Sequence, residues 1–129
     1  MHIHHLAIWT AHLEVLKTFY EIYFQACSGR KYTNPDRGFE SCFLSFQTGA
    51  SLELMSMPGI PPSRNDPLAQ FTGLIHFTLS TGSAEAADSL TARIQAHGYP
   101  VLSPPRRTGD GYYESVVLDP DGNRIEITI

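Results

Sequence analysis

The stretch HFTL at residues 76–79 closely repeats the stretch HLAI at residues 5–8, and both begin with a histidine. Each copy leads to a glutamate between two aliphatic residues, Glu53 in LEL and Glu126 in IEI. The separation from histidine to glutamate is 48 positions in the first copy and 50 in the second. Matches that recur in the same order at nearly the same spacing predict a chain built from two similar halves.

Hydrophobic spacing predicts a strand, a helix and two further strands in both halves, and the repeat as a whole indicates a βαβββ unit in each. Thr10 and Ser83 each stand where they can cap a following helix, and Gly98 suits the left-handed position after the second helix. The predicted first half has a strand at 3–9, a helix at 11–24 and strands at 41–46 and 50–55. The predicted second half has a strand at 74–79, a helix at 84–97, strands at 112–118 and 124–129, and a turn at 119–122.

A proline-rich stretch separates the two halves. Residues 56–67 hold four of the nine prolines, and proline fixes φ and lacks a backbone donor, so this stretch is predicted to be neither helix nor central strand. We expect one α+β domain over residues 1–129, with a first module at 1–55, a linker at 56–72 and a second module at 73–129.

The composition excludes several classes of protein. With 42% hydrophobic and 17% charged residues, the 129-residue chain can bury a core and is not a disordered tail. The net charge of -4 argues against a nucleic-acid partner or a membrane-surface binder, and no apolar run approaches the roughly 20 residues of a bilayer span. Cys27 and Cys42 do not form a disulfide framework and no signal peptide is recognisable, so a cytoplasmic location is expected.

Four strand residues are candidates to hold a metal ion, namely His5, Glu53, His76 and Glu126. Side chains alternate between the two faces of a strand, so the aliphatic neighbours of each glutamate point to one face and its carboxylate to the other. A carboxylate in an apolar strand is costly to bury without a partner, and a shared cation removes that cost. A shift of one residue in the first strand would put His4 in place of His5.

The predicted ligand set limits the choice of metal. Two imidazole nitrogens and two carboxylate oxygens suit one divalent ion from the set Zn, Ni, Co, Mn and Fe(II), and we favour Zn or Ni. The two carboxylates carry the charge that neutralises such an ion, and open positions remain for water.

The sequence resembles the vicinal oxygen chelate superfamily, which includes glyoxalase I, extradiol dioxygenases, fosfomycin-resistance enzymes and methylmalonyl-CoA epimerase. The resemblance covers the whole chain, and its motifs are HLAI at 5–8, LEL at 52–54, GLIHF at 73–77 and, most specific, DPDGNRIE at 119–126. It implies paired βαβββ modules whose curved, mixed sheets form a cup around a metal, with the helices outside. It also implies a homodimer in which the site is built from the modules of one chain or of two. Carried over residue by residue, the ligands are His5, Glu53, His76 and Glu126.

Glu53 directs the choice among the activities of that superfamily. Dioxygenases and fosfomycin-resistance enzymes resemble the pattern through two histidines and one glutamate, whereas a fourth ligand matches the glyoxalase I-like lyases better. The resemblance therefore implies a lyase or isomerase whose metal holds two vicinal oxygens of a small molecule and stabilises an enediolate. Glu126, with Glu53 as its counterpart, would then move a proton between adjacent carbons.

Two other activities stay open. An Fe(II) extradiol-type dioxygenase would need only His5, His76 and Glu126, together with an open position for oxygen. A non-catalytic, antibiotic-binding dimer of the bleomycin-resistance kind is the second alternative.

Three residues are candidates for contacts with the substrate. Trp9 stands four positions after His5, where glutathione-dependent glyoxalases of this kind carry arginine. Its aromatic wall suits an apolar or planar substrate better than a glutathione arm. Arg106 and Arg107, in a predicted loop at 103–111, are candidates to clamp an anionic group.

Overall fold

Nine strands and two helices follow one another through residues 1–129, all of which the computed structural model describes. The chain divides into two units, Met1–Ser63 and Arg64–Ile129. The first unit contains β1 (His5–Trp9), α1 (Leu13–Phe24), β2 (Cys27–Ser28), β3 (Tyr32–Asn34), β4 (Phe39–Ser45) and β5 (Ser51–Ser56). The second unit contains β6 (Phe77–Ser80), α2 (Ala84–Ala96), β7 (Val101–Arg107), β8 (Tyr113–Leu118) and β9 (Arg124–Thr128).

The first sheet has the strand order β1-β5-β4-β2, and β3 pairs with another part of β4. β1 runs parallel to β5, with Ala7 opposite Glu53, whereas β4 runs antiparallel to β5. The short strands β2 and β3 pair with opposite ends of β4, so together they form one interrupted strand.

The second sheet repeats this arrangement in the order β6-β9-β8-β7. β6 runs parallel to β9, with Thr78 opposite Glu126, and β8 runs antiparallel to both β9 and β7. In each unit the first and last strands are therefore parallel partners, and the helix connects the first strand to the rest. The predicted α+β class and the two βαβββ modules are confirmed.

The helix of each unit packs on one face of its sheet. Leu16 of α1 and Leu54 of β5 are fully buried in the first unit, as are Ile94 of α2 and Ile127 of β9 in the second. Because strand side chains alternate, the residues between these apolar positions lie on the other face, which we call the open face. The open faces carry His5, Trp9, Phe43 and Glu53 in the first sheet, and Thr78, Glu114 and Glu126 in the second.

Both ends of α2 follow the predicted capping. Ser83 Oγ accepts a hydrogen bond of 3.2 Å from the Ala86 N–H. After the helix, Gly98 has φ of +89°, and the next N–H, that of Tyr99, donates to the Ile94 carbonyl at 3.2 Å. This pattern satisfies carbonyls that the helix end would otherwise leave without donors. Neither helix of the chain is long and apolar enough to span a bilayer.

The predicted cap of α1 at Thr10 was wrong. The helix begins at Leu13, and its cap position is His12, whose side chain makes no capping bond. The Thr10 N–H donates to the Met55 carbonyl at 2.8 Å, so Thr10 is still held by β5 and stands too early to cap the helix. Its hydroxyl instead accepts from the His12 N–H at 2.9 Å.

Much of the predicted loop at 103–111 is also not a loop, because β7 extends to Arg107. Its pairing with β8 shifts register twice, between Val101 and Ser103 and between Ser103 and Arg106. β7 is the last strand of its sheet, where Pro104 and Pro105 remove no bond from a neighbouring strand. The interrupted strand of β2 and β3 was not predicted either.

Candidate metal centre

His5 and Glu53 lie together on the open face of the first sheet. Glu53 is opposite Ala7 in the parallel pair, which places the glutamate beside the histidine two residues earlier. The separation of His5 Nε2 from Glu53 Oε2 is 3.6 Å, and the two side chains are 38% and 18% exposed.

The second sheet repeats this pair with His76 and Glu126. Glu126 is opposite Thr78, and His76 directly precedes β6 rather than lying inside a strand. His76 Nε2 is 3.5 Å from Glu126 Oε2, and the two side chains are 38% and 17% exposed. The internal repeat therefore extends to the placement of the side-chain nitrogen and oxygen atoms.

The spacing within each pair suits two ligands of one metal ion. An N···O distance of 3.5 or 3.6 Å is too long for a good hydrogen bond. Zinc bonds to nitrogen and oxygen are about 2.0–2.2 Å, so two ligands of a tetrahedral zinc lie about 3.4 Å apart. Neither unit contains a group of three or more His, Cys, Asp or Glu side chains placed to hold a metal. Each pair thus supplies two of the four predicted ligands.

Polar groups surround Glu126 on its open face. Thr78 Oγ1 donates to Glu126 Oε1 at 3.0 Å. Glu114 lies on the neighbouring strand, and Arg106 Nη2 donates to Glu114 Oε1 at 3.2 Å. Burial raises the pKa of the Glu114 carboxyl and the charge of Glu126 raises it further, whereas Arg106 lowers it. Glu126 is therefore one of two interacting carboxylates.

Aromatic side chains share the open face of the first sheet with the His5–Glu53 pair. Phe43, opposite Glu53 on β4, meets the His5 ring edge to face at a centroid distance of 5.4 Å. Trp9 is 41% exposed on the same open face and meets the Phe39 ring at 6.0 Å. The two open faces thus differ, since one is aromatic and the other carries hydroxyl, carboxylate and guanidinium groups.

A family model described as the Glyoxalase/Bleomycin resistance protein/Dioxygenase superfamily matches residues 2–127. The chain belongs to this superfamily. The resemblance predicted from the sequence is confirmed. The superfamily's description names a resistance protein and dioxygenases beside glyoxalase, so membership alone does not decide the activity.

Solved structures show the superfamily fold in several organisms. A glyoxylase/bleomycin resistance protein/dioxygenase domain from Frankia sp. EAN1pec has a TM-score of 0.82 at 17% identity, and the match covers 100% of this chain and 97% of that one. The trypanothione-dependent glyoxalase I of Leishmania major has a TM-score of 0.76 at 21% identity, covering 99% and 86%. Glyoxalase I from Zea mays has a TM-score of 0.79 at 21% identity over 98% of this chain, which spans only 44% of the maize chain. No curated protein sequence matches the chain significantly.

Arg106 and Arg107 of β7 lie on opposite faces of the second sheet. Arg106 is opposite Glu114 and shares its open face, and its Nε donates to Ser103 Oγ at 3.1 Å. Arg107 is opposite Tyr113 and lies 5.7 Å from the centroid of that ring. The Tyr113 hydroxyl donates to Asp88 of α2, so Arg107 shares the helix-bearing face.

Three neighbours of the pairs cannot be identified as site residues from the sequence, namely Thr78, Glu114 and Phe43. Nothing in the local sequence marks Thr78 or Glu114. Their role follows from strand pairing, which places Thr78 opposite Glu126 and Glu114 opposite Arg106. Alternation along the strand places Glu114 on one of two faces, but which face is open depends on strand pairing.

Proposed function

We propose that this superfamily member is a divalent-metal-dependent, glyoxalase-like lyase or isomerase. It would transfer a proton on a small substrate whose two vicinal oxygens chelate the metal. The observation that carries this proposal is the pair of matched His–Glu sites, each with a nitrogen and an oxygen at ligand spacing on an open face. A protein that bound its ligand without a metal would not need this geometry in both units.

The metal ligands in this proposal are His5, Glu53, His76 and Glu126, supplied by two units of one chain or of two chains in a homodimer. Two imidazoles and two carboxylates fit Zn or Ni best and would neutralise the divalent charge. When bound, the metal would act as a Lewis acid on the two substrate oxygens.

Glu126 is the proposed proton carrier, with Glu53 as its counterpart. A carboxylate that moves a proton between adjacent carbons must stay close to both of them while it is protonated and deprotonated. Thr78 holds Oε1 of Glu126 at 3.0 Å, which leaves Oε2 directed to the side of His76. Glu53 has Ala7 opposite it, a residue with no hydrogen-bond donor in its side chain.

The open faces suggest the outline of the substrate. Trp9 with Phe39 would contact an apolar or planar part of the substrate, which suits these rings better than a glutathione arm does. Arg106 is the better placed of the two arginines to meet an anionic group, because Arg107 lies on the helix-bearing face. We also propose a cytoplasmic location, in which Cys27 and Cys42 would stay reduced.

Metal analysis of protein purified without chelators tests the proposal first. We expect close to one equivalent of a transition metal per site, and a higher melting temperature when Zn or Ni is added back after chelation. Less than about 0.2 equivalents, together with no thermal shift for Zn, Ni, Mn or Fe(II), would contradict it.

The Glu126→Gln variant tests the proposed chemistry. We expect it to fold normally and to lose at least about 100-fold in turnover of α-ketoaldehyde adducts with a panel of thiols, because an amide cannot carry the proton. Glu21→Gln is the matched control, since Glu21 lies on α1 and bonds Ser28. An Fe(II) dioxygenase would instead consume oxygen and would keep its activity in Glu53→Gln, and a non-catalytic binder would turn over nothing.

A further inference from the structure

A second imidazole lies beside His5. Nε2 of His5 is directed to Glu53, and its other ring nitrogen, Nδ1, lies 2.8 Å from Nδ1 of His4. The two rings meet edge to face with their centroids 5.1 Å apart. At this distance one nitrogen carries a hydrogen and the other accepts it.

The direction of this hydrogen bond decides which nitrogen of His5 can bind a metal. A neutral imidazole carries one ring hydrogen, so if His5 Nδ1 donates to His4, the lone pair of Nε2 is free. In the other tautomer the Nε2 hydrogen would point toward Glu53 Oε2, which at 3.6 Å is too far for a good bond. The contact with His4 is compatible with the form of His5 that can act as a ligand through Nε2, because His4 Nδ1 can serve as the acceptor.

We propose that His4 is a positioning residue for His5. Its Nδ1 accepts the hydrogen of His5 Nδ1, selects the tautomer and holds the ring with Nε2 toward Glu53. The inference rests on the proposed function, because the metal is what Nε2 would bind. It also assigns separate roles to the two adjacent histidines, one as ligand and one as support.

Only the first unit has an imidazole beside its candidate ligand histidine. Ile75 precedes His76 at the position equivalent to His4, and an isoleucine side chain cannot accept a hydrogen. There the contact that orients the pair comes from Thr78 and acts on Glu126 instead.

Four variants test this role. His4→Phe keeps a ring but removes the acceptor, and His4→Asn restores an acceptor at a distance along the side chain similar to that of Nδ1. His2→Phe removes another exposed histidine of the same segment and controls for nonspecific metal binding. His5→Phe gives the effect of losing a ligand. The measurements are Zn²⁺ affinity by competition with a chromophoric chelator, the visible spectrum of the Co²⁺ protein, and ¹⁵N NMR of the imidazoles in metal-free protein.

We expect His4→Phe to weaken Zn²⁺ binding by about 10- to 100-fold, as is usual when the partner of a ligating histidine is lost. We also expect the metal-free protein to show His5 as the Nδ1–H tautomer and His4→Phe to show a mixture. His4→Asn should recover most of the affinity and the single tautomer, and His2→Phe should change neither.

Three results would overturn the inference, and they are distinguishable. Zn²⁺ affinity and a His5 tautomer in His4→Phe equal to those of His2→Phe would remove the positioning role and leave the proposed function intact. A loss as large as that of His5→Phe, without recovery in His4→Asn, would make His4 itself a ligand. If the unaltered protein bound no metal, the proposed function would fail and the inference with it.

Discussion

Glu53 and Glu126 occupy equivalent positions in their sheets but have different neighbours. Thr78 stands opposite Glu126 and donates to its Oε1, whereas Ala7 stands opposite Glu53. A hydrogen bond to one oxygen limits rotation of the carboxylate and leaves the other oxygen in a defined direction. At the scale of single residues, the two carboxylates thus occupy equivalent positions, but only Glu126 is restrained by a hydrogen bond from the residue opposite it on the parallel strand.

The Thr78→Val variant tests this restraint. It keeps the branched shape and removes the hydroxyl, so we expect metal affinity or turnover to fall by about tenfold. Thr128→Val is the control, because Thr128 lies in the same sheet and bonds the Tyr113 carbonyl rather than Glu126. Equal metal affinities and rates in the two variants would show that Thr78 does not restrain the site.

The raised pKa of Glu114 predicts a pH dependence of stability in metal-free protein. Burial and the charge of Glu126 raise it, so the folded state binds this proton more tightly than the unfolded state does. The stabilisation is fully present below the ordinary pKa of a glutamate and is lost as pH rises through the folded-state pKa. We expect the melting temperature of Glu114→Gln relative to the unaltered protein to rise between about pH 4 and pH 7. A difference that stays constant over this range would contradict the prediction.

At the scale of elements, α2 is the part that local sequence describes best. Its N-terminus depends on Ser83 and its C-terminus on Gly98, and both signals lie within a few residues of the helix. The start of α1 and the strand β7 could not be predicted in the same way. Thr10 is held by its bond to Met55 on β5, and the prolines of β7 are accepted because the strand lies at an edge. Both depend on pairing between distant residues, which no local pattern contains.

The cap of α2 gives a prediction for stability. Ser83→Ala should lower the free energy of unfolding by about 1 kcal/mol, because the Ala86 N–H loses its acceptor. Ser83→Gly should cost only a few tenths of a kcal/mol, since glycine is tolerated at this position. Urea denaturation measures both, and an alanine variant no less stable than the glycine variant would contradict a capping role.

At the scale of the whole molecule, the repeat was predictable because similar motifs recur in the same order and at nearly the same spacing. The four ligand candidates follow from it, and the structure pairs them as His5 with Glu53 and His76 with Glu126. The neighbours of the pairs were not predictable, because Glu114 and Arg106 come together only through the irregular register of β7 with β8.

Arg124 shows how part of the proline-rich stretch is held within the second unit. Its side chain is buried, and Nη2 donates to the carbonyls of Pro67 at 2.8 Å and Ala69 at 2.7 Å. Nε also donates to the Pro67 carbonyl, at 3.0 Å. The segment around Pro67–Ala69 is thus hydrogen-bonded to β9 through the guanidinium group of Arg124.

Replacing Arg124 by Met should release this segment. We expect the free energy of unfolding to fall by about 1–3 kcal/mol, because the carbonyls of Pro67 and Ala69 lose a charged donor. We also expect limited proteolysis to cut within residues 64–72 faster than in the unaltered protein. Arg30→Met, which removes an exposed arginine of the first unit, is the control. Equal cutting rates in the two variants would show that Arg124 does not hold the segment.

The unequal neighbours of the two pairs bear on how such a site can evolve. In a symmetric dimer of single βαβββ units, one gene would encode both His–Glu pairs, and a mutation beside one would occur beside the other as well. With both copies in one chain, a mutation can alter the neighbours of one His–Glu pair and leave those of the other unchanged. His4 beside the histidine of the first unit and Thr78 beside the glutamate of the second are differences of this kind. A protein engineer can likewise change the neighbours of one pair and keep those of the other.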